Sequence, residues 1–200
     1  MSGHLENRQK RKNMADSGCS DPLHNGVDLN RNFPIGFDLS GGSLSHDDPG
    51  CSPVRGTREV FCGCSSTYGG KQPFSEPETR VLRDALTNQP PWLFIDVHTS
   101  YGAWMTPPVS RWANSLKVKS SVLPKFRPSR PFEHKDAWDL NFVTDFLERK
   151  FNVRYKSGEA SSVYSTVGGT MTDWVYEGLG VVRTYILELL RWANWQCRMR

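Results

Sequence analysis

His98 closes an apolar run, FIDVH, and is followed by the small polar turn TSYG. A histidine at the end of a strand is either a structural residue held by ordinary hydrogen bonds or a metal ligand. Glu188 poses a sharper question, because it sits inside TYILELL. A carboxylate in so apolar a run is costly unless it is paired, bound to a metal or used in catalysis. The bland alternative is a sheet-edge side chain reaching water or an arginine. Asn30 and Arg31, in DLNRNF, form a third constellation. A guanidinium and an amide side by side can hold a carboxylate, the first as a two-pronged donor and the second as an extra one. They can equally form a plain surface turn. Tyr164 stands shortly before a glycine pair in VYSTVGG and says little alone.

These groups need elements to carry them. SEPETRVLRDALT predicts a helix, with Ser75 as N-cap, Glu78 completing a capping box, and Pro77 in the first turn. Val81, Leu82, Ala85 and Leu86 would form its inward face. PPWLFIDVH and GVVRTYILELL read as buried strands, short apolar runs between turn signals. DLNFVTDFLERKF reads as an amphipathic helix with Phe142, Val143, Phe146, Leu147 and Phe151 inward. GVDLNRNF predicts a short strand running into a polar turn, and GGTMTDWVYEG a turn leading into a short helix. Helices alternating with apolar strands argue for an α/β domain. In an open sheet of that class, ligands bind at strand ends. Two strands carrying His98 and Glu188 could therefore bring both to one crevice.

Composition sets outer limits. The chain has 200 residues, 37% of them hydrophobic, enough for one globular domain with a core. No apolar run reaches membrane-spanning length. The opening MSGHLENRQKRKNM is polar and basic, without the apolar stretch of a signal peptide. The net charge of +4 owes much to the chain ends, which lack the interleaved aromatics of a nucleic-acid platform. Neither nucleic acid nor membrane is expected as a partner. The five cysteines, Cys19, Cys51, Cys62, Cys64 and Cys197, lack a second pair that would make a four-ligand zinc site. One or two disulfides are the better reading, which implies an oxidising compartment.

In order along the chain stand RKN, GVDLNRNF, YGGKQPFSEPET, FIDVHTSYG, VYSTVGGTMTDWVYEGLG and YILEL. Together they resemble the zinc metallocarboxypeptidases of the pancreatic carboxypeptidase A/B type, from about Arg11 to Leu190. The resemblance implies one catalytic domain over residues 1–200, with a mixed, largely parallel sheet flanked by helices on both faces and incomplete at both ends. It implies a Zn2+ cofactor, peptide or protein C-termini as substrate, and a monomer. His98 matches the zinc-binding histidine and Glu188 the catalytic glutamate. Asn30 and Arg31 match the pair that grips the terminal carboxylate, and Arg11 the arginine that polarises the scissile carbonyl. Tyr164 matches the tyrosine that folds over the C-terminal residue. Retention of Glu188 favours an enzyme over an inactive relative that merely binds C-termini. The compartment would be extracellular or secretory if a longer protein carries a signal peptide.

The sequence also departs from the family pattern. The family's other two zinc ligands lie on an H-x-x-E stretch ahead of the arginine, and no histidine here is followed by Glu three residues later. The expected consequence is weak zinc affinity and no peptidase activity in the chain as given. The last ten residues also leave the pattern, so both ends look truncated. Lys10 stands where an aromatic residue is common. GGTMTDW is one residue longer than usual, making Met171 or Thr172 the floor of the specificity pocket. Neither is acidic, so aliphatic or aromatic C-terminal residues are expected over Lys or Arg. A family disulfide implies Cys19–Cys64, with Cys51–Cys62 as a second possibility. If early strands are absent, an interior strand would become an exposed edge.

Overall fold

The computed structural model describes residues 10–37, 52–53, 60–99, 101–107, 135–164 and 167–190. They fall into two compact units, one of Met1–Gln89 with Val167–Trp174, the other of Pro90–Thr166 with Val175–Arg200.

The first unit is mostly loop, tied by polar contacts and by disulfide bonding. Two short strands, β1 (Ser52–Pro53) and β2 (Val60–Phe61), pair antiparallel. A 3-10 turn spans Leu29–Arg31, and helix α1 spans Pro77–Asn88. Cys19 is bonded to Cys64, as the family resemblance implies. Cys62 is disulfide-bonded too, while its expected partner Cys51 lies outside the described residues.

Polar side chains do much of the ordering here. Lys12 is buried, and its ammonium donates to the carbonyls of His24, Gly63 and Ser65. Burial draws its pKa down from 10.5 to about 8, against the pull of nearby Asp28. Asn13 exchanges bonds with Val27: its N–H reaches the Val27 carbonyl, and its Oδ1 accepts from the Val27 N–H. This close approach needs Gly26, since a Cβ there would lie 2.1 Å from the Asn13 carbonyl oxygen. Asn32 is wholly buried and fully used. Its amide donates to Gly69 O, Gln72 O and Ser75 Oγ, and its carbonyl accepts from Thr79 Oγ1 and the Glu76 N–H. Around this knot, the rings of Phe33, Phe74 and Trp174 meet with centroids 5.4–5.5 Å apart.

Several expectations for this unit need correction. GVDLNRNF forms no strand: Val27 and Asp28 make backbone bonds to Asn13 and Tyr68 and lead straight into the 3-10 turn. The cap of α1 is Glu76, which makes no side-chain capping bond, and not Ser75. The Ser75 hydroxyl instead donates to Glu76 Oε1 and accepts from Asn32. The helix is anchored through Thr79, so Val81 and Leu82 stay exposed rather than inward.

The second unit holds a four-stranded sheet of β3 (Phe94–Thr99), β4 (Ala103–Thr106), β5 (Lys156–Glu159) and β6 (Thr184–Leu189). Their order is β3-β6-β4-β5. β3 runs parallel to β6 and β4 parallel to β5, while β4 and β6 are antiparallel. The sheet is therefore mixed and largely parallel, with helices α2 (Lys135–Phe151) and α3 (Ala160–Val163) packed on β4 and β5. Its core includes Ala103, Met105, Leu140 and Ile186. Each large apolar side chain so buried contributes about 1.5–3 kcal/mol.

Both apolar strands form, but only β6 is buried as expected. β3 is an edge strand among the described residues, with Ile95 and Val97 exposed. The inward stripe of α2 is also not the expected one. Leu140 and Thr144 are buried, with Val143 and Leu147 partly so, whereas Phe142, Phe146 and Phe151 are exposed. The i, i+3, i+4, i+7 spacing starting at Leu140 wins because it faces β4 and β5. Bulk alone would have chosen the phenylalanines.

Candidate active site

Glu188 lies on β6, an interior strand with β3 on one side and β4 on the other. Its register partners are His98 on β3 and Ala103 on β4. Only 9% of the residue is exposed. That disposes of the sheet-edge explanation for this carboxylate. Partners in register point to the same face, on strands about 4.8 Å apart. His98 and Glu188 thus share a face near the C-terminal ends of two parallel strands, as the strand-end argument required.

Asp96 joins them, two residues before His98 and therefore on the same face. Its Oδ2 lies 2.9 Å from His98 Nε2. A carboxylate at one ring nitrogen fixes the orientation of the imidazole. The sequence reading passed over Asp96, although the D-x-H alternation within a strand was the signal available.

Asn30 and Arg31 lie in the 3-10 turn of the other unit. Asp28 organises this turn. Its Oδ1 accepts from the Asn30 N–H at 3.2 Å, and its Oδ2 accepts from Arg11 Nε at 2.8 Å. One buried carboxylate therefore orders Arg11 and the Asn30–Arg31 turn together. Asp28 too went unremarked in the sequence, where an aspartate immediately before the turn is the usual cap signature. The Asn30 Oδ1 accepts from the Met171 N–H at 2.9 Å, and Arg31 Nη1 donates to the Asn30 carbonyl.

The glycine pair explains how the 167–174 segment reaches this turn. Phe33 N–H bonds to the Gly169 carbonyl, and the Gly169 N–H bonds to Ile35. Gly169 has φ +72°, and a Cβ there would lie 2.2 Å from the Arg31 carbonyl oxygen. Only glycine fits. Arg11, Asn30, Arg31, Met171 and Thr172 are accordingly assembled in the first unit. Thr172 is 1% exposed and Met171 more open.

Tyr164 follows α3 in the second unit, with its ring against Tyr101 at 5.1 Å. The Tyr101 hydroxyl donates to the Val163 carbonyl and accepts from Lys156 Nζ at 2.9 Å. The Lys156 ammonium also lies 4.4 Å from the Tyr101 ring centroid. Tyr164 is thus steadied by a neighbour that the sequence gave no reason to single out.

A sequence model described as zinc carboxypeptidase matches residues 2–194. The chain belongs to the zinc carboxypeptidase family. Mast cell carboxypeptidase A of Rattus norvegicus is 31% identical over 187 residues, covering 92% of this chain and 37% of the relative. Carboxypeptidase B of Astacus astacus is 28% identical, covering 85% and 46%. The crystal structure of carboxypeptidase A from Helicoverpa armigera superposes with a TM-score of 0.61 at 22% identity, covering 90% of this chain and 36% of that one. The chain spans less than half the length of each of these carboxypeptidases.

Family membership implies zinc, so the donor set matters. No group of three or more His, Cys, Asp or Glu side chains that could hold a metal occurs among the described residues. His98 supplies an imidazole, with one nitrogen against Asp96. His24 is engaged with Asp21, whose carboxyl is held below its usual range mainly by that hydrogen bond. Zinc needs three protein ligands and an open position for catalysis. The described residues do not fit it.

Proposed function

We propose that this chain carries the C-terminus-gripping and proton-transferring parts of a zinc-dependent metallocarboxypeptidase. Such an enzyme hydrolyses C-terminal residues from peptides. The observation that carries the reading is the buried Glu188, register-paired with His98 on neighbouring parallel strands.

In this proposal Asn30 and Arg31 bind the free C-terminal carboxylate. Requiring a carboxylate there restricts attack to chain ends. Arg11 stabilises negative charge developing on the scissile carbonyl oxygen. Glu188 takes a proton from the attacking water and passes it to the leaving amine. Tyr164 covers the C-terminal side chain, and Met171 or Thr172 lines the floor of its pocket. His98 is the metal ligand of the set. It does not hold zinc alone, so the 200-residue chain is expected to bind the metal weakly and cleave nothing.

The same shortfall favours a second reading, a carboxypeptidase-like protein that binds peptide C-termini without cleaving them. One preparation separates the two: the chain extended upstream by a relative's segment carrying H-x-x-E, then loaded with zinc. The enzyme reading expects hydrolysis there. It also expects C-terminal Phe to be removed with a kcat/KM about tenfold or more above that for C-terminal Arg. Faster Arg release would reject the pocket assignment, and no hydrolysis at all would leave the binding protein.

A further inference from the structure

We infer that Lys12 is a positioning residue for the C-terminal carboxylate: its buried ammonium locks the loop that sets Asp28, and through Asp28 it aims Arg11 and the Asn30–Arg31 turn. The inference rests on the proposed reading that Asn30 and Arg31 grip that carboxylate. Lys12 touches no substrate group in that reading.

An ammonium has three N–H donors. Lys12 gives one to each of three carbonyls, those of His24, of Gly63 at 2.8 Å and of Ser65 at 2.9 Å. Carbonyl dipoles alone repay the desolvation of a buried charge only in part. What the fold gains is a joint. The Gly63 carbonyl also accepts from Ser17 Oγ, and the Ser65 carbonyl from the Tyr68 N–H. The Tyr68 ring centroid lies 5.5 Å from the ammonium, and the Tyr68 carbonyl accepts the Asp28 N–H at 2.8 Å. One loop is thus fastened to Lys12 through Ser65 and to Asp28 through Tyr68. Asp28 in turn holds Arg11 Nε and the Asn30 N–H. Arg11 is fixed twice, by its backbone next to Lys12 and by its side chain on Asp28. The gripping residues depend on Lys12 without touching it.

The joint responds to one proton. Burial draws the Lys12 pKa from 10.5 to about 8, while Asp28 pulls it up and Lys10 pushes it further down. The other ionisable groups nearby have their own partners. His24 turns its carbonyl to Lys12 and its imidazole to Asp21. Glu76 accepts from the Asn13 amide. Burial, and then Glu76, push Tyr68 above its ordinary 10, so it stays neutral where Lys12 titrates. Arg11 stays charged throughout. A neutral amine keeps two donors for three carbonyls and offers Asp28 no charge. Raising the pH through 8 therefore loosens the loop. Stability moves the other way. The folded pKa lies below the unfolded one, so the unfolded chain holds more protons between pH 8 and 10.5. The contribution of Lys12 to stability rises with pH across that window. Affinity falling while stability rises is not what general unfolding produces.

The test is calorimetric titration of the 200-residue chain with N-acetylated peptides ending in Phe, free acid and amide, from about pH 6.5 to about 9.5. The acid should lose about 3–10-fold in affinity with a midpoint near 8, and the amide should not. Lys12→Met should bind the acid as weakly at neutral pH as the parent does at the alkaline end, with no midpoint. The Arg11 Nε–H resonance in a nitrogen-resolved spectrum reads the positioning without any peptide. It should shift with the same midpoint in the parent and stay flat in Lys12→Met. Should Lys12→Met fail to fold, as judged by circular dichroism, the two parent profiles still decide. An acid preference and an Arg11 signal both flat through pH 8, or a Lys12→Met variant with the parent's affinity, would overturn the inference and leave the grip standing. Equal binding of acid and amide at every pH, with the Arg11 resonance still moving, would instead reject the grip and with it this role for Lys12.

Discussion

Glu188→Gln, made in the zinc-loaded extended chain, is expected to lower kcat by about 10²–10⁴-fold with KM little changed. Glutamine keeps the size of the side chain and its ability to accept a hydrogen bond, but cannot accept a proton. The burial of Glu188 makes this a clean substitution. Its strand is interior, flanked by β3 and β4, so the side chain has no route to bulk water at a sheet edge. A merely structural carboxylate would reveal itself differently, by a lower melting temperature with kcat preserved. Glu188→Asp, which retains the proton-accepting group on a shorter stem, should recover part of the rate. Steady-state kinetics on a C-terminal Phe peptide, with thermal melts alongside, separates these outcomes. A Gln variant retaining full kcat would remove Glu188 from the chemistry.

Removing the Cys19–Cys64 bridge is expected to cost about 2–4 kcal/mol of stability. The two cysteines are 45 residues apart, so the bond closes a long loop in the unfolded chain. Among its described residues the first unit has few regular elements to compensate: helix α1, a single helical turn at Met171–Asp173, a 3-10 turn and a two-residue strand pair. The rest of its order comes from polar knots around Lys12, Asn13 and Asn32. Such knots must be held in place before their hydrogen bonds stabilise anything. The measurement is denaturant unfolding of Cys19→Ala/Cys64→Ala against the parent. A shift below about 1 kcal/mol would mean that the bridge is incidental, since disulfides rarely contribute so little to small disulfide-bonded folds.

How much of this was legible beforehand depended on whether the signal was local. The apolar run ending at His98 and the misplaced carboxylate at Glu188 were visible, because each violates a composition rule within six or seven residues. Their adjacency was not, since register between strands 90 residues apart follows from topology. Cys19–Cys64 came from family likeness rather than from spacing. The helix stripes were read from bulk, and there the reading failed: Phe142 and Phe146 looked like core, yet Leu140 and Thr144 face the sheet. Val81 and Leu82 failed for a related reason, since a periodic apolar face states a capacity for burial and not the presence of a cover. Asp28 and Asp96 were overlooked because single aspartates are common in turns and strands. What they do depends on Arg11 lying 17 residues from one and on strand alternation beside the other. Lys12 and Asn32 were invisible for the same reason, as their partners are all backbone groups brought in by the loops.

Calorimetric titration of the 200-residue chain with two peptides ending in Phe, one a free acid and one an amide, tests the central claim most directly. Arg31 and Asn30 should bind the acid about 10–100-fold more tightly than the amide, the worth of one charge-assisted contact. Arg31→Met should bring the two affinities together. Equal binding of acid and amide by the parent chain, or a preference untouched by Arg31→Met, would contradict the account.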